Sequence, residues 1–307
     1  MIAGVWSTVF EPGFFSSEPV QVALVVGAIA AIVSGIVGVF TVIRGQSFAG
    51  HALSDIGTAG GSAAFLVGAS TIYGFVAFNV VAAAVMELIG IRKPRGRDLA
   101  TGIVLGASLG LAALFLYEGT IHTSTTGATV NVLFGSIFTL PPGITTVIAV
   151  LGVASVALIA MLYRPLLLSS VSYELAAAKG VPNRLVGTGY LMALALAVSM
   201  SAVTIGAILS TALLIGPAAT ALRLAARTWV ALTVACALGV VTCWIGTLVA
   251  YDSTSWAGGN GWPVSFCIVA VIFVFYFASG IVARLRHDRR AAVQLEPRVV
   301  GEPVEVA

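Results

Sequence analysis

The chain has 307 residues, 59 % of them hydrophobic and only 9 % charged, with a formal net charge of +3. Soluble domains carry about 25 % charged residues, so the composition excludes a water-soluble enzyme and gives no basic surface for nucleic acid. A mean hydropathy of +1.07 leaves one class, a polytopic membrane protein.

The first 19 residues lack a basic stretch and carry Glu11 and Glu18, so no cleavable signal peptide is expected. Apolar spans follow at 20–43, 48–70, 72–91, 99–117, 142–163, 185–207, 209–226, 228–250 and 263–283, each near the ~20 residues a spanning helix needs. The fold class is therefore all-α, a membrane helix bundle of about eight or nine transmembrane helices. Eight rather than nine would cross if Gly216-Pro217 interrupts the 209–226 segment. Residues 128–140 are too short to span and end in Pro141-Pro142, which suggests a re-entrant or interfacial piece. Residues 1–285 make the transmembrane domain, and 286–307 form a polar tail, with Pro297 and Pro303, that is expected to be disordered.

All fifteen Lys and Arg residues fall in one set of alternate loops or at the span ends beside them: Arg44, Arg92 to Arg97, Arg164 to Arg184, Arg223 to Arg227, and Arg284 to Arg298. The opposite loops, 1–19, 118–141 and 251–262, have none. Basic residues stay cytoplasmic, so the C-terminus is expected inside and, with nine spans, the N-terminus outside.

The second span holds the least expected pair. His51 and Asp55 lie four residues apart in Gly50-His51-Ala52-Leu53-Ser54-Asp55, a spacing that stacks two side chains on one helix face. Ionisable groups at membrane depth are costly, face an interior or a wet cavity, and mark function. An imidazole and a carboxylate so placed form half of a metal site; the plainer alternative is a helix-capping or helix-packing pair near the interface. The loop Arg164–Arg184 contains a second signal. Ser172 is an N-cap candidate, Glu174 follows early, and Lys179-Gly180 closes the turn, so 172–181 reads as a short amphipathic helix between two spans.

Other polar residues carry less. Glu118 and His122 stand on the extracellular side, where they would attract an arriving cation or merely form an exposed pair. Glu87 lies near Arg92 and reads as a structural pair, Asn79 as an interhelical hydrogen-bonder, and Asp252 as part of a solvated turn or a docking point for an external protein. Cys236, Cys243 and Cys267 have no CxxC spacing and read as small packing residues.

Five segments in order resemble the permease subunits of bacterial ABC importers for zinc, manganese and iron. They are Arg44–Gly60; Leu133-Phe134-Gly135-Ser136-Ile137; Tyr173-Glu174-Leu175-Ala176 with Lys179-Gly180; Ile205-Gly206-Ala207 through Pro217-Ala218-Ala219-Thr220-Ala221; and Asp252 with Gly259–Ser265. The resemblance spans about residues 18–285 and implies a transport permease in the bacterial cytoplasmic membrane, not an enzyme. It implies a homodimer enclosing the pathway, separate cytoplasmic ATP-binding subunits, and an extracytoplasmic metal-binding protein. No cofactor is held permanently; a divalent Zn, Mn or Fe ion is the cargo. Tyr173, Glu174, Ala177, Lys179 and Gly180 correspond to the helix that couples to the ATPase. The family's second-span motif usually reads Asp-Ala-Leu-Ser-His, whereas this chain has His51 first and Asp55 second, which keeps one imidazole and one carboxylate on the same face. Two copies would supply an N2O2 set, suited to tetrahedral zinc or, with waters, to manganese or ferrous iron. Such ligands need a neutral imidazole and an ionised carboxylate, so acid outside should weaken loading. A siderophore or cobalamin permease would share the architecture without needing the pair. A cation-coupled secondary transporter would need no docking helix and would often show an internal repeat; none is seen.

Overall fold

The computed structural model describes residues 14–89, 94–123, 127–135, 137–140, 143–256 and 261–294. Among them eleven α-helices run in order: α1 Glu18–Ile43, α2 Ser47–Leu66, α3 Thr71–Ile89, α4 Pro94–Thr123, α5 Gly127–Phe134, α6 Ile144–Val171, α7 Tyr173–Ala178, α8 Asn183–Ile205, α9 Ala207–Leu224, α10 Thr228–Trp256 and α11 Val264–Gln294. A short 3-10 turn, Ile137–Thr139, follows α5. In lipid the backbone must satisfy its own hydrogen bonds, and continuous apolar runs of about 20 residues do so as helices.

Nine of these helices correspond to the nine apolar spans. Seven are long and apolar enough to cross a membrane by length and composition, α9 among them despite Pro217 inside it. The other two are α2, diluted by glycine, serine and threonine, and α4, whose apolar stretch is Leu105–Ile121.

The layers follow from burial. In α8 72 % of the apolar stretch is enclosed and in α1 61 %, against 22 % for α3 and α11, so α1 and α8 form the inner layer. Small residues allow the close approach. Gly27, Ala31 and Gly35 on α1 meet Cys243, Gly239 and Ala235 on α10, an antiparallel contact with four-residue spacing on both sides. On α2, Gly57, Gly60 and Gly61 accept Phe75, Phe78 and Gly74 of α3. Hydrogen bonds tie the inner helices to each other, Ser34 to Ser201 at 2.8 Å and the Tyr190 hydroxyl to Thr41 at 2.9 Å, and α8 to α3, Asn79 to Ser199 at 2.9 Å. Asn79 therefore plays its expected interhelical role.

Both ends of the bundle are identifiable. At one, the Arg44 guanidinium donates to Ser169 at 2.9 Å and stacks 5.1 Å from the Tyr190 ring centroid. Glu87 belongs to this end as well, with Arg184 and Arg44 as its charged neighbours and Gly187 beneath its carboxylate; its sequence neighbour Arg92 lies outside the described residues. At the other end the Phe14 and Tyr251 rings meet at 5.3 Å, and Ser265 donates to the Phe134 carbonyl.

Three expectations change. The last helix does not stop at 285 but continues to Gln294. No proline or glycine interrupts residues 281–294, and the arginines, alanines and glutamine there favour the helix; residues 295–307 lie outside the described residues. The first part of the Arg164–Arg184 loop is also helical, since α6 runs through Pro165 to Val171. Asp252 is no solvated turn residue: α10 extends to Trp256, and Asp252 is only 2 % exposed.

Candidate metal-transport site

A tight turn positions the pair. The Gly45 and Gln46 amides cap α1 on the carbonyls of Val42 and Thr41, at 3.1 and 2.9 Å, and α2 starts at Ser47. His51 and Asp55 then occupy the next turns on one face. His51 Nε2 stands 3.6 Å from Asp55 Oδ2. A hydrogen bond would require about 2.7–3.2 Å. Two ligand atoms each about 2.1 Å from one ion at a tetrahedral angle stand about 3.4 Å apart. The observed 3.6 Å is close to that separation and is equally that of a loose i,i+4 ion pair. Its halves differ in access: the imidazole is 46 % exposed and the carboxylate 9 %.

Helix α9 forms the adjoining wall. Thr211 Oγ1 lies 3.4 Å from His51 Nδ1. One residue earlier, the Ser210 and Ser54 hydroxyls are 2.7 Å apart, and both converge on the Ala207 carbonyl. These α9 contacts are not evident from hydropathy; the available signal is a pair of adjacent hydroxyls, Ser210-Thr211, in an otherwise apolar segment following a glycine. Among the described residues no three His, Cys, Asp or Glu side chains converge, so His51 and Asp55 stand as a pair without a third such side chain.

The α8–α9 junction is a single residue, Gly206, with φ 97° and ψ 151°. Its backbone packs against Leu133 and Phe134, while Gly135 packs back against Ile205 and Gly206. The chain reverses there: α8 carries Tyr190 beside Thr41 and Ser201 beside Ser34, and α9 returns with Leu214 and Ala218 beside Gly38. The short α5 thus holds the corner from which α9 descends past His51.

The coupling-type segment folds as a capped six-residue helix, α7. Ser172 accepts from the Leu175 amide at 3.2 Å. Gly180, at φ +75°, and Val181 close it on the carbonyls of Ala177 and Ala176, both at 3.0 Å. Ala176 is fully buried, which anchors the helix, and Tyr173, Glu174, Ala177, Lys179 and Gly180 are all exposed. Glu118 is partly buried on α4, and His122 falls in that helix's last turn, its side chain outside the described residues. The structure brings His51 and Asp55 together; α7 is a separate surface at the Arg44 end.

The ABC 3 transport family model matches residues 16–283. The manganese transport system membrane protein MntC of Halalkalibacterium halodurans is 29 % identical over 92 % of this chain and 96 % of its own length. The manganese import system permease protein ScaB of Streptococcus pneumoniae is 30 % identical over 93 % and 98 %. Among solved structures, a chain of PsaBC from Streptococcus pneumoniae in complex with Fab superposes with a TM-score of 0.72 at 25 % identity, covering 91 % of this chain and 95 % of that one. Nearly the whole length takes part in each match, and the chain belongs to the ABC 3 transport family, the class of membrane permease that its second-helix and coupling-loop motifs resemble.

Proposed function

We propose that the chain is the transmembrane subunit of an ATP-driven importer for a divalent transition metal, with manganese as cargo and zinc or iron as competitors. The observation that carries this reading is the His51–Asp55 spacing of 3.6 Å on a helix otherwise sheathed by its neighbours. An N,O pair suits manganese, iron and zinc, and the manganese permeases among its relatives favour the first. With two ligands per chain, a second copy related by a two-fold axis completes an N2O2 set on the open side of His51. Cytoplasmic ATP-binding subunits dock on α7, and an extracytoplasmic binding protein delivers the ion at the opposite end.

The reading is tested by manganese uptake in bacteria that lack their own manganese importer and carry this permease with its partner subunits. Energy-dependent uptake, inhibited by excess zinc or iron in proportion to their affinity, is expected. Uptake independent of any ATP-binding subunit would replace the reading with a secondary transporter.

The docking and orientation parts of this reading have their own tests. Because Ala177 is exposed on α7, Ala177→Glu places a bulky charge in the docking groove. Co-purification of the ATPase should fall about tenfold, the effect of roughly 1.4 kcal/mol of lost affinity, while membrane abundance stays unchanged. Wild-type association would remove α7 from the docking role. A cysteine at Ser255, at the Tyr251 end, should react with an impermeant reagent in intact cells. One at Ser170, beside Arg44, should react only after permeabilisation.

A further inference from the structure

We infer that Thr211 on α9 is a positioning residue for His51, fixing which imidazole nitrogen faces the ion. The inference rests on the reading of His51 and Asp55 as ligands. An imidazole binds metal through one neutral nitrogen, and its other nitrogen, bearing the proton, seeks an acceptor that sets ring orientation and tautomer. Here the two nitrogens have distinct neighbours: Nε2 looks toward Asp55 Oδ2 at 3.6 Å, and Nδ1 toward Thr211 Oγ1 at 3.4 Å. With the proton on Nδ1 directed at that hydroxyl, at the long limit of a hydrogen bond, Nε2 keeps its lone pair on the Asp55 side.

The hydroxyl is well placed for this work because its surroundings are rigid. A threonine on a helix has few χ1 states. The preceding residue, Ser210, is 1 % exposed and is locked by its 2.7 Å contact with Ser54 and its bond to the Ala207 carbonyl. Ser54 is the residue immediately before Asp55, so one cluster fixes α9 and the carboxylate-bearing turn of α2 in register. His51 is half exposed, so packing restrains its ring only in part. Thr211 supplies the missing restraint. Loss of an outer partner of a metal-bound histidine typically costs about 10–100-fold in affinity or activity.

The test is manganese(II) binding by equilibrium dialysis to the complete purified importer in lipid nanodiscs, without nucleotide or binding protein, comparing Thr211→Val, Thr211→Ser and His51→Ala. Valine keeps the shape and removes the hydroxyl, and binding should weaken about tenfold. Serine keeps the hydroxyl and should bind within about twofold of wild type, a rescue of the outer partner that a purely steric role would not give. If Thr211→Val accumulates poorly, Thr211→Ala against Thr211→Ser makes the same comparison. Wild-type binding by Thr211→Val alongside loss in His51→Ala overturns the role of Thr211 and leaves the ligand pair standing. Equal weakening by serine and valine also overturns it. Wild-type binding by His51→Ala removes the ligand reading itself.

Discussion

Manganese uptake should fall to background when His51 and Asp55 are both replaced by alanine, at membrane abundance equal to wild type. Each single alanine variant should lose most of its transport too, because removal of a ligand costs more than the about 10–100-fold typical of an outer partner. A purely structural pair behaves differently. Deleting both members of a buried polar pair is often nearly neutral, since neither partner is left unsatisfied. The double variant therefore separates chemistry from packing, and near-normal flux would assign the pair to packing. The exchange His51→Asp with Asp55→His returns the order usual in the family and keeps both ligand types one turn apart. It should transport better than either single alanine variant, with an altered ratio of manganese to zinc uptake. Thr211 would still offer its hydroxyl at position 51, now as a donor to a carboxylate.

The second large effect is expected at Gly206. Its φ of 97° with ψ of 151° lies in a region that side-chain-bearing residues essentially do not occupy. A Cβ there would also stand 2.5 Å from the Leu133 carbonyl oxygen, which belongs to backbone and cannot swing aside. Strained backbone costs about 1–3 kcal/mol and overpacking about 1–3 kcal/mol, so Gly206→Ala should destabilise by about 2–6 kcal/mol. Loss of membrane-inserted protein and a sharply lower melting temperature in detergent are the measurements. Gly180→Ala is the control: it shares a positive φ of +75° but has nothing within 4 Å of the added Cβ. Its cost should be about 1–2 kcal/mol, the left-handed penalty alone. Equal melting temperatures for the two variants would show that the packing of Gly206 against the end of α5 contributes nothing.

Much of this molecule is written in its linear order. Nine apolar spans, the short 128–140 piece, the one-sided basic residues and the capped α7 are all legible there. Each depends on neighbours in sequence: a span on the run of apolar residues lipid demands, a capped helix on Ser172 and Gly180 within ten residues of each other. The His51–Asp55 pair is legible for the same reason, because four-residue spacing on a helix is local geometry. The contacts that complete the site are not. Thr211 reaches His51 across 160 positions of sequence, and its approach depends on the rotation of α9 about its axis. Inner helices such as α1 and α8 are apolar on all sides, so periodicity gives no clue to which face meets which neighbour. Asp252 reads as a turn residue because it follows an apolar run, yet α10 carries it onward into a buried position. Gly206 and Gly135 stand out in the sequence only as members of two motif segments; the meeting of their backbones, 71 positions apart, shows why neither can carry a side chain. Composition and local spacing determined that this chain crosses the membrane and where its candidate ligands sit, whereas helix rotation and close backbone approach, which are three-dimensional quantities, decided what surrounds them.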